Sequence, residues 1–250
     1  MPSYLITGAS RGLGLSFAAE LLKNKDNTVI ATARNTASSP GLQELKAQDK
    51  DGRLFLVDLD VSKPESIRST AEKTTQLLPG GLDHLISNAG VDNNGMDTFE
   101  ELNIEDLTSE LAFTVTAPLL LVREFLPLIR KSEAKKILII TSMLGSTQIA
   151  FHMPNLANGY SVSRAALNML TRKWSPLLKA EGITMALLSP GWVGVTELGG
   201  MIVEWMGKNA PDTENLAPEK SAAGCMNVLN GLTIEDAGAF FSFDGTKLPF

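Results

Sequence analysis

The sequence contains one cysteine, two histidines and two tyrosines, and each scarcity excludes something. Cys225 alone cannot close an internal disulfide, which suits a reducing compartment. With His84 and His152 as the two histidines, a metal site built from His and Cys is not expected. Runs of lysine and arginine are missing and the net charge is −6, which argues against nucleic acid or an anionic membrane as partner. Long apolar runs are missing as well. The first, Tyr4-Leu5-Ile6, is far too short for an export signal. The longest apolar region, residues 111–129, is interrupted by Thr114, Thr116, Pro118, Arg123, Glu124 and Pro127. A membrane span needs about 20 mostly apolar residues. The expectation is a cytoplasmic protein.

What is present describes one folded unit. The composition, 44% hydrophobic with 20% charged, is that of a globular chain and not a disordered one. A chain of 250 residues buries roughly 70–75% of its unfolded surface without staples. Strands are expected at 4–7, 28–33, 54–59, 84–87, 136–142, 184–188 and 238–243. Helices are expected at 15–24, 42–48, 62–78, 104–130, 160–180 and 218–229. Ser62 followed by Glu65 reads as a capping box opening the third of these. Ile137-Leu138-Ile139-Ile140 is continuously apolar, as in strands buried on both faces. The alternation predicts a single α/β domain over 1–250, a doubly wound parallel sheet covered by helices on both faces.

The first strand runs into Gly8-Ala9-Ser10-Arg11-Gly12-Leu13-Gly14, and an amphipathic helix follows. A glycine turn between strand and helix lets backbone N–H groups and the helix dipole hold a pyrophosphate. An acid about 20 residues beyond such a turn would bind a ribose 2′-hydroxyl, whereas arginine accepts a 2′-phosphate. That position is Arg34, with no Asp or Glu between Thr28 and Pro40, and Arg11 is a second cation inside the turn. The expected cofactor is NADPH/NADP in preference to NAD.

Tyr160 and Arg164 stand four apart in Tyr160-Ser161-Val162-Ser163-Arg164. On a helix they share a face. Taken alone, the pair would suit an exposed amphipathic helix. A neighbouring cation also stabilises a phenolate, which makes the pair a candidate proton donor.

Thr7-Gly8-Ala9-Ser10-Arg11-Gly12-Leu13-Gly14, Asn88-Ala89-Gly90, Ser142 and Tyr160 together resemble the short-chain dehydrogenase/reductase family, over essentially the whole chain and with its Rossmann-like fold. The ending Phe243-Asp244-Gly245-Thr246-Lys247-Leu248-Pro249 is similar to the carbonyl-reductase and C-factor branch. The stretch around Tyr160, with Arg172-Lys173 beyond it, resembles ketoreductases of fungal toxin and polyketide pathways. The resemblance implies that Asp60 and Val61 contact adenine and that Asn88, Ala89 and Gly90 pack near its ribose. It implies that Ser142 hydrogen-bonds the substrate carbonyl while Tyr160 gives it a proton. Pro190, Gly191 and Val193 are implied to line the nicotinamide, with Thr196 at its carboxamide. Pairing through the two long helices, as homodimer or homotetramer, is implied too.

Three positions depart from the family pattern. Its lysine, four residues after the tyrosine, is Arg164, which can hold a ribose but does not give up a proton. Its helix asparagine, which anchors a relay water, is Thr114. One extra residue precedes Thr196 in Pro190-Gly191-Trp192-Val193-Gly194-Val195-Thr196. Residues 143–159 and 192–217 are expected to flank the substrate, with Met143, Leu144, Phe151, Met153, Trp192, Met201, Ile202, Trp205 and Met206 supplying apolar surface. The leading expectation is an NADPH-dependent ketoreductase acting on a small-molecule carbonyl compound that is bulky and hydrophobic, such as a polyketide or other secondary metabolite. Arg164 and Thr114 keep two others open: a non-redox cyclase, isomerase or dehydratase, and a catalytically silent NADP-binding protein.

Overall fold

The computed structural model describes residues 1–90, 98 and 100–250. In chain order it contains β1 (Ser3–Ile6), α1 (Gly12–Leu22), β2 (Thr28–Ala33), α2 (Pro40–Gln48), β3 (Leu54–Asp58), α3 (Pro64–Leu77), β4 (His84–Ser87) and α4 (Ile104–Lys131). Then come β5 (Lys136–Ile140), a 3-10 turn (Met143–Gly145), α5 (Thr147–Ala150), α6 (Asn158–Lys179) and β6 (Thr184–Ser189). The remainder is α7 (Glu197–Gly200), α8 (Val203–Asn209), α9 (Pro218–Gly231), a second 3-10 turn (Ile234–Asp236) and β7 (Phe240–Ser242).

The strands pair in parallel in the order β3-β2-β1-β4-β5-β6-β7. This is the expected doubly wound, Rossmann-like sheet. Its direction of growth reverses between β1 and β4, where Leu5 pairs with Leu85 and Ile6 with Ile86. At such a reversal the loops after the two strands diverge and leave a crevice at the carboxyl ends.

Alternate residues of each strand feed separate cores on the two faces. Ile6 and Ala31 join Phe17 and Leu21 of α1 with Cys225 and Leu229 of α9. Leu5 and Ile30 join Phe125 and Ile129 of α4 with Leu167 of α6. Phe17 and Phe125 are both fully buried, each contributing about 1.5–3 kcal/mol relative to an exposed side chain. By length and composition alone α4 is apolar enough to cross a membrane, despite the interruptions in its sequence. Its apolar stripe, including Leu121, Phe125 and Leu128, instead covers the sheet.

Several boundaries move for local reasons. Helix α1 begins at Gly12, so two glycines of the turn lie in its first turn. The expected capping box at Ser62 does not form. Ser62 instead gives its hydroxyl and N–H to Asp60 Oδ1, at 2.6 and 3.1 Å, and α3 starts at Pro64 behind an uncapped Lys63. Strand β5 stops at Ile140, leaving Ser142 beyond the sheet edge as cap of the 3-10 turn. Strand β7 begins late because Gly238 turns the chain at φ +78°.

Candidate active site

The crevice at the β1–β4 reversal opens into a cleft of about 1500 Å³. One wall is the glycine turn. Gly8 and Gly12 adopt φ of +70° and +56°, a region that disfavours side chains. Gly14 is needed for a different reason: a Cβ there would stand 2.2 Å from the Gly8 carbonyl oxygen. Asn88 ties this turn to the end of β4. Its Nδ2 donates to the carbonyls of Thr7 and Gly8 at 2.8 and 3.2 Å, and its N–H donates to Thr7 Oγ1 at 2.9 Å. Among the described residues no side chain caps α1, so its first N–H groups stay available to an anion.

Arg34 closes β2 at one end of the cleft, near Asp60. The Ser62 hydroxyl above all holds the Asp60 carboxyl below its usual range, with Lys63 and Arg34 adding to it against partial burial. The neighbouring loop is fixed by Asp58, whose Oδ1 accepts from the N–H and hydroxyl of Thr36 at 2.8 and 2.7 Å. Sequence reasoning did not identify Thr36 or Asp58. Ser62 is also part of this wall.

The chemical centre is assembled from β5, α6 and the turn between them. Ser142 Oγ accepts the Leu144 N–H at 3.2 Å, which leaves its own proton for an acceptor in the cleft. Ser189 at the end of β6 holds the turn by accepting the Met143 N–H at 3.0 Å. Asn168, one helical turn beyond Arg164, accepts from Thr141 Oγ1 at 2.7 Å and donates to the Gly145 carbonyl at 3.0 Å. It locks α6 to the end of β5, and sequence reasoning missed it because its signal is only the i+4 spacing from Arg164. Ala157, buried in the left-handed region at φ +49°, turns the chain into α6.

Arg164 lies over the Tyr160 ring, its guanidinium carbon 4.6 Å from the centroid. It is 5% exposed and forms no ion pair among the described residues, and its Nε has no hydrogen-bond partner. Gly90 and Gly145 leave room for it: Cβ atoms there would stand 2.8 Å from Nη2 and 2.7 Å from the Arg164 Cβ.

The cleft brings together Ser142, Tyr160, Arg164 and every residue expected at the cofactor, from Gly8 to Thr196. Thr114 is the exception. It is buried at 3% exposure, its hydroxyl has no partner among the described residues, and Phe113 lines the cleft instead. Helical rotation explains this, since adjacent residues point about 100° apart. The Thr196 hydroxyl is engaged inside its own loop, donating to the Val193 carbonyl at 2.7 Å and accepting the Gly199 N–H at 3.1 Å. On the substrate side Met143, Leu144, Met153, Trp192, Met201, Ile202, Trp205 and Met206 line the cleft. Phe151 does not; it is 83% exposed. Cys225 lies on the buried face of α9, where burial pushes its thiol up to about 12, outside this chemistry.

A family model described as short chain dehydrogenase matches residues 3–207. The chain is 34% identical over 264 residues to the short-chain dehydrogenase/reductase atnB of an Arthrinium species, covering 98% of each. Among solved structures it resembles an NADPH-bound carbonyl reductase from chicken fatty liver, at TM-score 0.86 and 33% identity over 100% of this chain and 99% of that one. An NADP-bound short-chain dehydrogenase/reductase from Burkholderia multivorans superimposes at TM-score 0.80 with 29% identity, covering 100% of this chain and 99% of that one.

Proposed function

The chain belongs to the short-chain dehydrogenase/reductase family, in its carbonyl-reductase-like branch, and from that premise we propose that it is an NADPH-dependent reductase of a bulky hydrophobic carbonyl compound. A polyketide or other secondary metabolite fits the substrate side. The observation that carries the reading is Tyr160, backed by Arg164, opening onto the same cleft as Ser142 and the glycine turn.

The residues present fit the dinucleotide. Gly12, where a would-be Cβ meets no described side chain nearer than the Thr196 methyl carbon at 3.7 Å, leaves the mouth of α1 open to a pyrophosphate. Arg34 and Arg11 would take the 2′-phosphate, Asp60 and Val61 the adenine, and Asn88, Ala89 and Gly90 its ribose. Arg164, a buried cation without an ion pair among the described residues, would take hydroxyls of the nicotinamide ribose. Pro190, Gly191 and Val193 would flank the nicotinamide. Thr196 would reach the carboxamide with the acceptor capacity its two existing bonds leave. NADPH, when bound, supplies the hydride.

The protein's own part is to manage charge and proton. Negative charge grows on a carbonyl oxygen as it is reduced, and hydroxyls placed at that oxygen stabilise it. Ser142 supplies one hydrogen bond and Tyr160 supplies the proton, with the Arg164 cation stabilising the phenolate left behind. Apolar residues lining the cleft, such as Met143, Trp192 and Trp205, would shield the reacting oxygen from water. Arg164 does not release a proton itself, so Tyr160 would be refilled from water.

The test is NADPH oxidation against aromatic ketones and quinones, run beside a direct NADPH-binding titration. Binding without reduction of any carbonyl sinks the reading. Thr114, buried away from the cleft, favours a second reading, a non-redox cyclase, isomerase or dehydratase. Conversion of substrate at constant mass, or with loss of water and no NADPH consumed, would establish it.

A further inference from the structure

Arg11 of the glycine turn is ion-paired with Glu197, the first residue of α7. The two side chains are 70% and 63% exposed, so the pair adds little to the stability of the fold. The α7 strap is secured by other bonds. Trp192 Nε1 donates to the Gly199 carbonyl at 2.9 Å, and the Gly194 N–H donates to Asn215 Oδ1 at 2.8 Å. Glu197 is therefore held out from an independently fixed support, and its carboxylate is directed at Arg11. Arg34, the other cation expected at a 2′-phosphate, has no ion pair among the described residues.

A guanidinium bound to a carboxylate has fewer donors and less net charge to offer a phosphate. We propose that Glu197 is a specificity-determining residue, which competes with the 2′-phosphate of the dinucleotide for Arg11. The inference rests on the cofactor reading above. A dinucleotide with a 2′-phosphate must displace Glu197 to gain Arg11, whereas one with a 2′-hydroxyl leaves the pair intact. Glu197 thus lowers affinity for the phosphorylated form alone and eases its release after turnover. By linkage, bound 2′-phosphate frees Glu197 from the glycine turn.

The experiment is calorimetric titration of NADP+, 2′,5′-ADP and NAD+ into wild type, Glu197→Gln, Arg11→Ala and the double variant. Glu197→Gln is expected to tighten NADP+ and 2′,5′-ADP by about two- to five-fold, the range for an exposed ion pair. NAD+ affinity stays unchanged, and Glu197→Gln has no effect in the Arg11→Ala background. Stopped-flow displacement shows NADP+ leaving Glu197→Gln more slowly. An equal shift for NAD+, a shift that survives Arg11→Ala, or no shift overturns the proposal. Melting curves check each variant's fold, and Glu197→Asp, too short to span the pair, repeats the test should Glu197→Gln misfold. Wild type that binds neither NADP+ nor 2′,5′-ADP would overturn the cofactor reading as well.

Discussion

Arg164 stacks its guanidinium on the Tyr160 ring, with 4.6 Å between guanidinium carbon and ring centroid, so the cation touches the proposed proton donor through its π face. Planar guanidinium stacks well on an aromatic ring, whereas lysine presents a compact, strongly hydrated ammonium. The bare backbone of Gly90 also lies against Arg164 Nη2. These contacts mark a pocket shaped for arginine. Arg164→Lys is predicted to lower kcat/KM by about 2- to 30-fold, the range of cation–π contacts from exposed to desolvated sites. Activity equal to or above wild type would mean that arginine merely occupies the lysine position.

Removing the Tyr160 hydroxyl tests the chemistry more directly. Tyr160→Phe keeps the ring on which Arg164 rests but deletes the proton. Loss of general-acid catalysis costs about 10²- to 10⁴-fold in kcat, and NADPH affinity is expected to hold because the stacking surface remains. A variant that loses NADPH binding and turnover together would point to a positioning role for the phenol.

Arg34 offers a test on the cofactor. It lines the cleft near Asp60, where a 2′-phosphate would sit. Arg34→Ala is predicted to weaken NADP+ by about 10-fold or more, on the scale of a charge-assisted hydrogen bond, and to leave NAD+ unaffected. Equal losses for both nucleotides would remove Arg34 from the phosphate site.

The site was legible in the sequence where chemistry needs a particular residue at a particular chain position. Gly8 and Gly12 require positive φ, and Arg34 follows a strand end, so both could be read from spacing. Thr36, Asp58, Asn168 and Ser189 act through one or two hydrogen bonds between segments distant in sequence, and no local pattern announces them. Thr114 does not line the cleft, because a motif position does not specify which way a helix is rotated. Ser62 was read as a cap because its local pattern is right, but the nearer Asp60 carboxylate captures the hydroxyl. The sheet was the easier part: apolar strands alternating with helices admit few arrangements.

Gly145 is where fold and site are most tightly coupled. A Cβ there would meet the Arg164 Cβ at 2.7 Å, the Arg164 backbone carbon at 2.8 Å and Asn168 Nδ2 at 3.0 Å. Helix backbone cannot move aside as a side-chain tip can, so Gly145→Ala must push α6 away from the turn carrying Ser142. The expected cost is about 1–3 kcal/mol of stability, with a fall in kcat in the fraction that remains folded. Unchanged melting temperature and activity would mean the turn can relax without moving Tyr160.

Acid stability tests the far end of the sheet. His84 is buried in β4, stacked on Tyr4 at 4.2 Å between centroids, with Nδ1 3.2 Å from the Ser3 carbonyl oxygen. Burial chiefly, with the Lys136 charge adding, lowers its pKa from 6.5 to about 4, although the Ser3 carbonyl and Asp83 oppose the shift. Because the folded value lies below the unfolded one, the unfolded chain binds more protons between pH 4 and 6.5. Stability from this group is therefore fully present above about pH 6.5 and declines as pH falls towards about 4, by about 3 kcal/mol in all. His84→Asn loses the stacked ring and is expected to be weaker than wild type at pH 7.5. It has no imidazole to charge, so its urea midpoint changes less between pH 6.5 and pH 4.5. Parallel pH slopes in the two proteins would place the acid sensitivity elsewhere, in carboxylates such as Asp58 and Asp60, whose pKa values are also lowered.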